Sequence, residues 1–202
     1  MKAMILVLSP KECVNLLNGD LSILVRKRFP KDYVGCVYIY CRDNATKYGW
    51  CIVSFRESQK HYYQPFSKDA SYSPLDNYIG NGKVVGRFWC DKIGEIHFVA
   101  ASFTSKRIVD WNCDEFFAFE KDACLTQEDL DKYLGKVKHS PQGYAIHVTK
   151  VKSFDKPKEL VHHTHDNNSE FYIRKWDKKH ECWRVGALTH APRCGYCYVY
   201  GA

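Results

Sequence analysis

A short capped helix that runs directly into a strand is the strongest local signal in the chain. Ser9 precedes Glu12 by three residues, the spacing at which serine and glutamate cap the first turn of a helix reciprocally. Pro10 suits the first helical position, where a missing N–H would be unpaired anyway, and Gly19 suits the left-handed turn that ends a helix. Residues 22–26 then predict a strand. The chain is therefore expected to begin with a helix-turn-strand unit.

Most of the other patterns are typical of β-strands. Residues 2–8 and 34–41 are runs of apolar, β-branched and aromatic side chains, as in strands that are buried on both faces. Further strands are predicted at residues 51–55, 84–90, 95–103, 144–154 and 196–200. Residues 56–81 are polar and interrupted by prolines and glycines, which predicts a long irregular loop.

A second helix is predicted between Thr126 and Leu134. Thr126 is a suitable N-cap, and Asp129 at the third helical position favours both the cap and the helix dipole. Two short helices among many strands indicate an α+β fold.

The order of these pieces resembles the ASCH family of PUA-like β-barrels, whose hallmark Gly-x-Lys-x-x-Glu-x-Arg follows a first helix. Gly19 and Arg26 occupy the two ends of this motif, whereas Leu21 and Leu24 stand where the family has lysine and glutamate. Further segments resemble the longer ASCH proteins of bacteriophages and their hosts, at residues 82–90, 125–130, 144–147, 154–160 and 191–199.

This resemblance implies a mixed PUA-like β-barrel with flanking short helices. The 202 residues are expected to form one domain, 1–202, with insertions at about 56–81, 97–117 and 161–185. The longest apolar run, residues 3–8, is too short for a membrane span or a secretory signal. We therefore expect a cytoplasmic protein that does not contact a membrane, with its ten cysteines as free thiols.

Four cations gathered where the strand 22–26 ends are the leading candidate for a binding site. They are Arg26, Lys27, Arg28 and Lys31. A guanidinium can hold a phosphate with two parallel hydrogen bonds, and the net charge of +7 favours anionic partners. The alternative is that one of these side chains pairs with a core carboxylate while the others are solvated.

Aromatic residues complete the expected nucleic-acid-binding set. Tyr48 and Trp50 lie beside a lysine and a glycine, a mixture suited to stacking an unpaired base. In the ASCH family the ligand cleft lies between the barrel and a helix, so the resemblance would also place Ser9 and Lys11 near the ligand. Trp50 is equally compatible with a core position.

Three functions remain open from the sequence. The first is a PUA-like module that recognises RNA or a modified nucleotide through a basic and aromatic cleft. The second is a phage-type module with a degenerate cleft that contacts a host protein. The third is an enzyme that resembles the ASCH amidohydrolases of N4-acetylcytidine, but Leu21 replaces the family's lysine and cannot act as a base. We therefore expect no catalytic residue and favour RNA binding.

A structural zinc ion is the one cofactor that the sequence raises. Cys194 and Cys197 have the spacing of a zinc knuckle, and His180 with Cys182 could supply the other two ligands. The alternative is that Cys197 is a core cysteine of the last strand.

Overall fold

The computed structural model describes most of the chain. The described residues are 2–43, 50–55, 60–65, 77–100, 105–110, 116–117, 119–135, 141–160, 170–193 and 195–200.

Strands dominate the described residues, with two helices among them. The helices are α1 (Pro10–Leu17) and α2 (Gln127–Leu134). The strands are β1 (Lys2–Leu8), β2 (Ile23–Arg26), β3 (Gly35–Cys41), β4 (Trp50–Phe55), β5 (Lys60–Pro65), β6 (Asn77–Ile79), β7 (Lys83–Ala100), β8 (Ser105–Asp110), β9 (Phe116–Phe117), β10 (Gly143–Glu159), β11 (Tyr172–Asp177), β12 (Cys182–Ala187) and β13 (Tyr196–Tyr200). The expected class is confirmed in its coarser form, because the described residues form a mostly-β structure with a mixed sheet and two helices.

Residue contacts divide the chain into two units, each assembled from separate segments. Unit 1 comprises Met1–Asn18, Cys36–Phe88 and Lys152–Ala202, and unit 2 comprises Gly19–Gly35 and Trp89–Val151. The long strands β7 and β10 contribute residues to both units. The single ASCH-like domain stays a prediction.

Unit 1 contains a mixed sheet in the order β12-β11-β13-β1-β3-β7. Strand β1 lies parallel to β3, with Met4 opposite Val37, and antiparallel to β13, with Met4 opposite Tyr198. Strand β1 is buried on both faces from Ala3 to Leu8, which accounts for its nearly continuous apolar sequence. A second sheet of unit 1 has the order β5-β4-β6 and is antiparallel.

Unit 2 contains the strand order β2-β10-β7-β8-β9. Arg26 lies opposite Tyr144, and His97 lies opposite Ile108. Helix α2 contributes Leu130 and Leu134 to an apolar core that β2 shares. Neither sequence of neighbouring strands closes on itself within the described residues, so barrel closure stays a prediction.

Both helices begin as the sequence predicts. The Ser9 hydroxyl accepts the backbone N–H of Glu12 at 3.3 Å, and the Glu12 carboxylate accepts the backbone N–H of Ser9 at 2.8 Å. Thr126 and Asp129 form the same reciprocal cap on α2. Gly19 has a φ of +83°, the left-handed conformation expected at the end of α1.

Several strand boundaries differ from the expectation. The predicted strands 84–90 and 95–103 are one 18-residue strand, β7. The sequence suggested a break because Asp91 and Gly94 are poor strand formers. Asp91 nevertheless lies in the strand, where its carboxylate is 2.7 Å from Nδ1 of His147 in unit 2. A partner from another strand outweighs the local propensity.

The expected insertions also carry strands. The predicted loop 56–81 is wrong where it contains β5 and β6, which pair with β4. The region 97–117 contains β8 and β9, and the region 161–185 contains the β11–β12 hairpin. Residues 161–169 lie outside the described residues.

Asn18 ties the end of α1 to β5 within unit 1. Its side-chain amide donates to the carbonyl of His61 at 2.9 Å and accepts the backbone N–H of His61 at 2.9 Å. The side-chain amide of Asn18 therefore makes the same donor and acceptor contacts to the β5 backbone that a neighbouring strand would make. It fixes the position of the helix against the small sheet.

An Asn18→Asp substitution is expected to lower the free energy of unfolding by about 1–3 kcal/mol. The carboxylate keeps the shape and the acceptor but loses the N–H that satisfies the His61 carbonyl. Urea unfolding followed by circular dichroism measures this difference. Asn15→Asp, three residues earlier in α1, is the same chemical change at another position, and equal losses from both variants would contradict the role given to Asn18.

Candidate nucleic-acid interface

The four cations that the sequence singled out lie in unit 2, at the end of β2. We call Arg26, Lys27, Arg28 and Lys31 the cationic segment. Only Arg26 belongs to the strand, and Lys27 and Arg28 form the bend after it. The last three cations therefore lie beyond the end of the strand.

Phe29 anchors the cationic segment to unit 2. Its side chain is buried, and its ring packs edge-on against Tyr33 with centroids 6.2 Å apart. Lys27, Arg28 and Lys31 are exposed around it. An apolar anchor inside a cationic bend holds the charged groups at the surface.

The contacts of the cations differ from one another. Arg26 donates from Nη1 to the carbonyl of Val25 at 2.6 Å, and its side chain is half-buried. The Lys27 ammonium lies 5.4 Å from the ring centroid of Tyr133, an exposed residue of α2. This cation–π contact leaves the ammonium its charge and its hydrogens.

Within the described residues, none of the ion pairs involves Lys27, Arg28 or Lys31. Gly19–Gly35 carries these cations and Arg26 together with two aspartates, Asp20 and Asp32. The stretch Gly19–Gly35 therefore carries a net positive charge.

Ser9 and Lys11 lie in unit 1, on the first turn of α1 and beside it. The Ser9 hydroxyl donates to the Glu12 carboxylate at 2.8 Å and also accepts the Glu12 N–H. The helix cap therefore uses this hydroxyl in both directions. Lys11 is exposed.

Of the two aromatic residues expected to bind a base, only Trp50 lies among the described residues. Trp50 is the first residue of β4 in unit 1, opposite Pro65. Tyr48 lies outside the described residues. Their role in binding stays a prediction.

Leu21 and Leu24, which stand where the ASCH motif has lysine and glutamate, are both buried. Leu21 is 4% exposed and Leu24 is 1% exposed. Neither side chain can take up or release a proton.

The expected zinc ligands lie in unit 1. His180 directs Nδ1 to Asp177 Oδ2 at 2.9 Å, Cys182 is exposed in β12, and Cys197 is half-buried against the unit 1 core. Cys194 lies outside the described residues. Among the side chains that the structure places, no three of His, Cys, Asp and Glu are arranged to hold a metal ion. Zinc binding stays a prediction.

An aromatic surface on the β11–β12 hairpin was not predicted from the sequence. Trp176 and Trp183 lie directly opposite each other, 48% and 65% exposed. The signal was present as two tryptophans, each beside cations, at equal distances from a polar turn. Only knowledge of the hairpin register turns that symmetry into a shared face.

The fold and the cationic segment define the chain as an α+β protein with a mixed sheet and a basic surface. No family model matches its sequence, and no curated protein matches it. Its structure is similar to the crystal structure of a mutant of ZmASCH, a protein from Zymomonas mobilis. The TM-score is 0.43 at 12% sequence identity, and the match covers 79% of this chain and 77% of that one.

Among the residues that the structure describes, no helix combines the length and the apolar content needed to cross a bilayer.

Proposed function

We propose that this chain is a nucleic-acid-binding module that holds the phosphates of RNA, or of a modified nucleotide, with its cationic segment. The observation that carries the proposal is the exposure of Lys27, Arg28 and Lys31 without an ion-pair partner among the described residues. Three like charges within five residues repel one another, and a bound polyanion relieves that repulsion. The ASCH resemblance of the sequence favours RNA as the polyanion.

The geometry supports contact with phosphate more than recognition of a base. The guanidinium of Arg28 can bind two phosphate oxygens at once, and the Lys31 ammonium adds a point charge three residues later. Tyr133, exposed beside Lys27, offers one ring against which a base can stack. The affinity for RNA should therefore depend more on the charge of the phosphate backbone than on the identity of the bases.

The proposal predicts that Arg28→Ala with Lys31→Ala weakens binding of fluorescein-labelled single-stranded RNA by about tenfold at low salt. Each removed cation leaves one phosphate with its counterions in place. Fluorescence polarisation titrations of the wild type and the variant measure the change. Both positions are exposed, so folding should be unaffected.

A charge-matched control separates a local contact from the overall charge. Lys121→Ala with Lys156→Ala removes two other exposed lysines and lowers the net charge by the same amount. This control should bind RNA nearly as the wild type does. An equal loss in both double variants would mean that no specific surface is involved, and absence of binding by the wild type would end the proposal in favour of a protein-interaction module.

A further inference from the structure

The β11–β12 hairpin of unit 1 presents one continuous face of aromatic and cationic side chains. The register places Trp176 opposite Trp183 and Arg174 opposite Val185. Because residues two apart on a strand point to the same side, these four residues share a face, which we call the hairpin face. All four are exposed.

The two tryptophans of the hairpin face contact each other and leave ring surface open. Their centroids are 5.4 Å apart and their planes meet at 67°, an edge-to-face arrangement. Val185, also on this face, is 61% exposed. Two tryptophans and a valine at the surface of one hairpin form an apolar patch of the kind that marks an interaction site.

The face continues along β13 with stacked cations. Tyr172 lies opposite Tyr200, and the Arg174 guanidinium lies 4.6 Å from the Tyr200 ring centroid. In the same sheet, the Lys2 ammonium lies 3.8 Å from the centroid of Tyr198. Arg174 and Lys2 are thus each held beside an aromatic ring.

Asp177 fixes the turn of the hairpin. Its carboxylate forms an ion pair with Arg184, at 2.6 Å from Nε, and accepts a hydrogen bond from the backbone N–H of Lys179 at 2.9 Å. The same carboxylate lies 2.9 Å from Nδ1 of His180. The hydrogen bond from His180 lowers the pKa of this carboxyl. The turn is therefore ordered before any partner binds, which reduces the entropy lost on binding.

The charge of the hairpin identifies the kind of partner. Residues 172–187 contain five cations, Arg174, Lys175, Lys178, Lys179 and Arg184, against two carboxylates, and the hydrogen bonds of the turn already engage the carboxylate of Asp177. Lys175 and Arg184 lie on the opposite side of the hairpin, where Arg184 pairs with Asp177, whereas Arg174 lies on the hairpin face itself. The positive excess of the hairpin favours a polyanion over an apolar protein surface.

We propose that the hairpin face binds single-stranded RNA by stacking unpaired bases on Trp176 and Trp183, with Arg174 and the exposed turn residues Lys178 and Lys179 on the adjacent phosphates. Aromatic side chains combined with cations are the usual means of holding single strands, because every base offers a π-face. Paired bases within a duplex do not offer that face. The inference rests on the proposed function and adds to it a second surface and a preference for single strands.

The test is a polarisation titration with fluorescein-labelled oligouridine of about ten nucleotides, a length that spans one stacking platform. Trp176→Ala with Trp183→Ala should weaken binding by about tenfold or more, and Trp183→Phe, which keeps a ring, should stay within about threefold of the wild type. Trp89→Ala removes an exposed tryptophan from unit 2 and should leave the affinity unchanged. Unlabelled duplex RNA of equal length should compete poorly.

The outcomes separate the two proposals. If oligouridine binds and the tryptophan double variant binds as well as the wild type, the hairpin face is not the platform, while the cationic segment remains the proposed site. Equal competition by duplex and single strand in the Arg28→Ala, Lys31→Ala variant, where the cationic segment is weakened, would likewise overturn the inference. If the wild type binds no RNA at all, both proposals fail together.

Discussion

Gly86→Ala is expected to lower the free energy of unfolding by about 3 kcal/mol. Gly86 lies in β7 within unit 1, where a Cβ would sit 2.6 Å from the carbonyl oxygen of Lys152 and 2.9 Å from Cδ2 of Leu17. A carbonyl oxygen of the neighbouring strand cannot rotate away as a flexible side chain can. The strand and α1 must therefore move apart, which opens the core beneath the helix.

Urea unfolding with a circular dichroism readout measures this loss, and the chain offers a matched control. Gly186 lies in β12, where an added Cβ would meet no atom within 4 Å. Gly186→Ala should change the free energy of unfolding by less than about 0.5 kcal/mol, as surface substitutions usually do. Equal effects at the two glycines would show that β7 and β10 do not approach each other as closely as described.

Phe171→Ala is expected to cost about 3–5 kcal/mol, the usual range for a fully buried phenylalanine. Phe171 is 1% exposed and packs edge-on against Tyr38 with centroids 5.0 Å apart. Its carbonyl also accepts the backbone N–H of Leu188 at 2.8 Å, which closes the base of the β11–β12 hairpin. The ring therefore anchors the hairpin to the core of unit 1.

Phe171→Leu is the matched control, because leucine keeps most of the apolar volume and should cost less than about 1.5 kcal/mol. The midpoint of urea unfolding gives both values. A Phe171→Ala variant as stable as Phe171→Leu would mean that the ring is not enclosed, and the hairpin would then lack its anchor.

The parts of the fold that the sequence predicted well are those with local causes. The caps of α1 and α2 each depend on two residues three apart, and both form as expected. Strand β13 follows from its own aromatic and β-branched residues. Such signals need no information about the rest of the chain.

The wrong expectations failed because of contacts between residues that are distant in sequence. Strand β7 continues through Asp91 because His147, distant in sequence, supplies a partner. Burial opposes ionisation of this carboxyl and raises its pKa, but the hydrogen bond and charge of His147 outweigh that effect and leave the pKa below its usual value. The contact of Asp91 with His147 therefore stabilises unit 2 above the unfolded carboxyl's pKa, and that contribution is lost as the pH falls through the folded pKa.

The candidate site was predicted in part. The sequence indicated a surface cluster at Arg26–Arg28, but it did not predict that Arg26 turns back to the Val25 carbonyl. The positions of Trp176 and Trp183 beside cations and around a polar turn did not decide whether they are exposed, because a tryptophan beside cations is equally compatible with the core. Only the hairpin register decides between these alternatives.

The salt dependence of RNA affinity tests the central claim most directly. The account predicts that the logarithm of the association constant falls linearly with the logarithm of salt concentration, by about 0.7 for each phosphate neutralised on a single strand. Removal of Arg28 and Lys31 should make that slope shallower by roughly 1.4, while the Lys121 and Lys156 control keeps the slope of the wild type. A slope near zero for the wild type, or one that the loss of Arg28 and Lys31 leaves unchanged, would contradict the account.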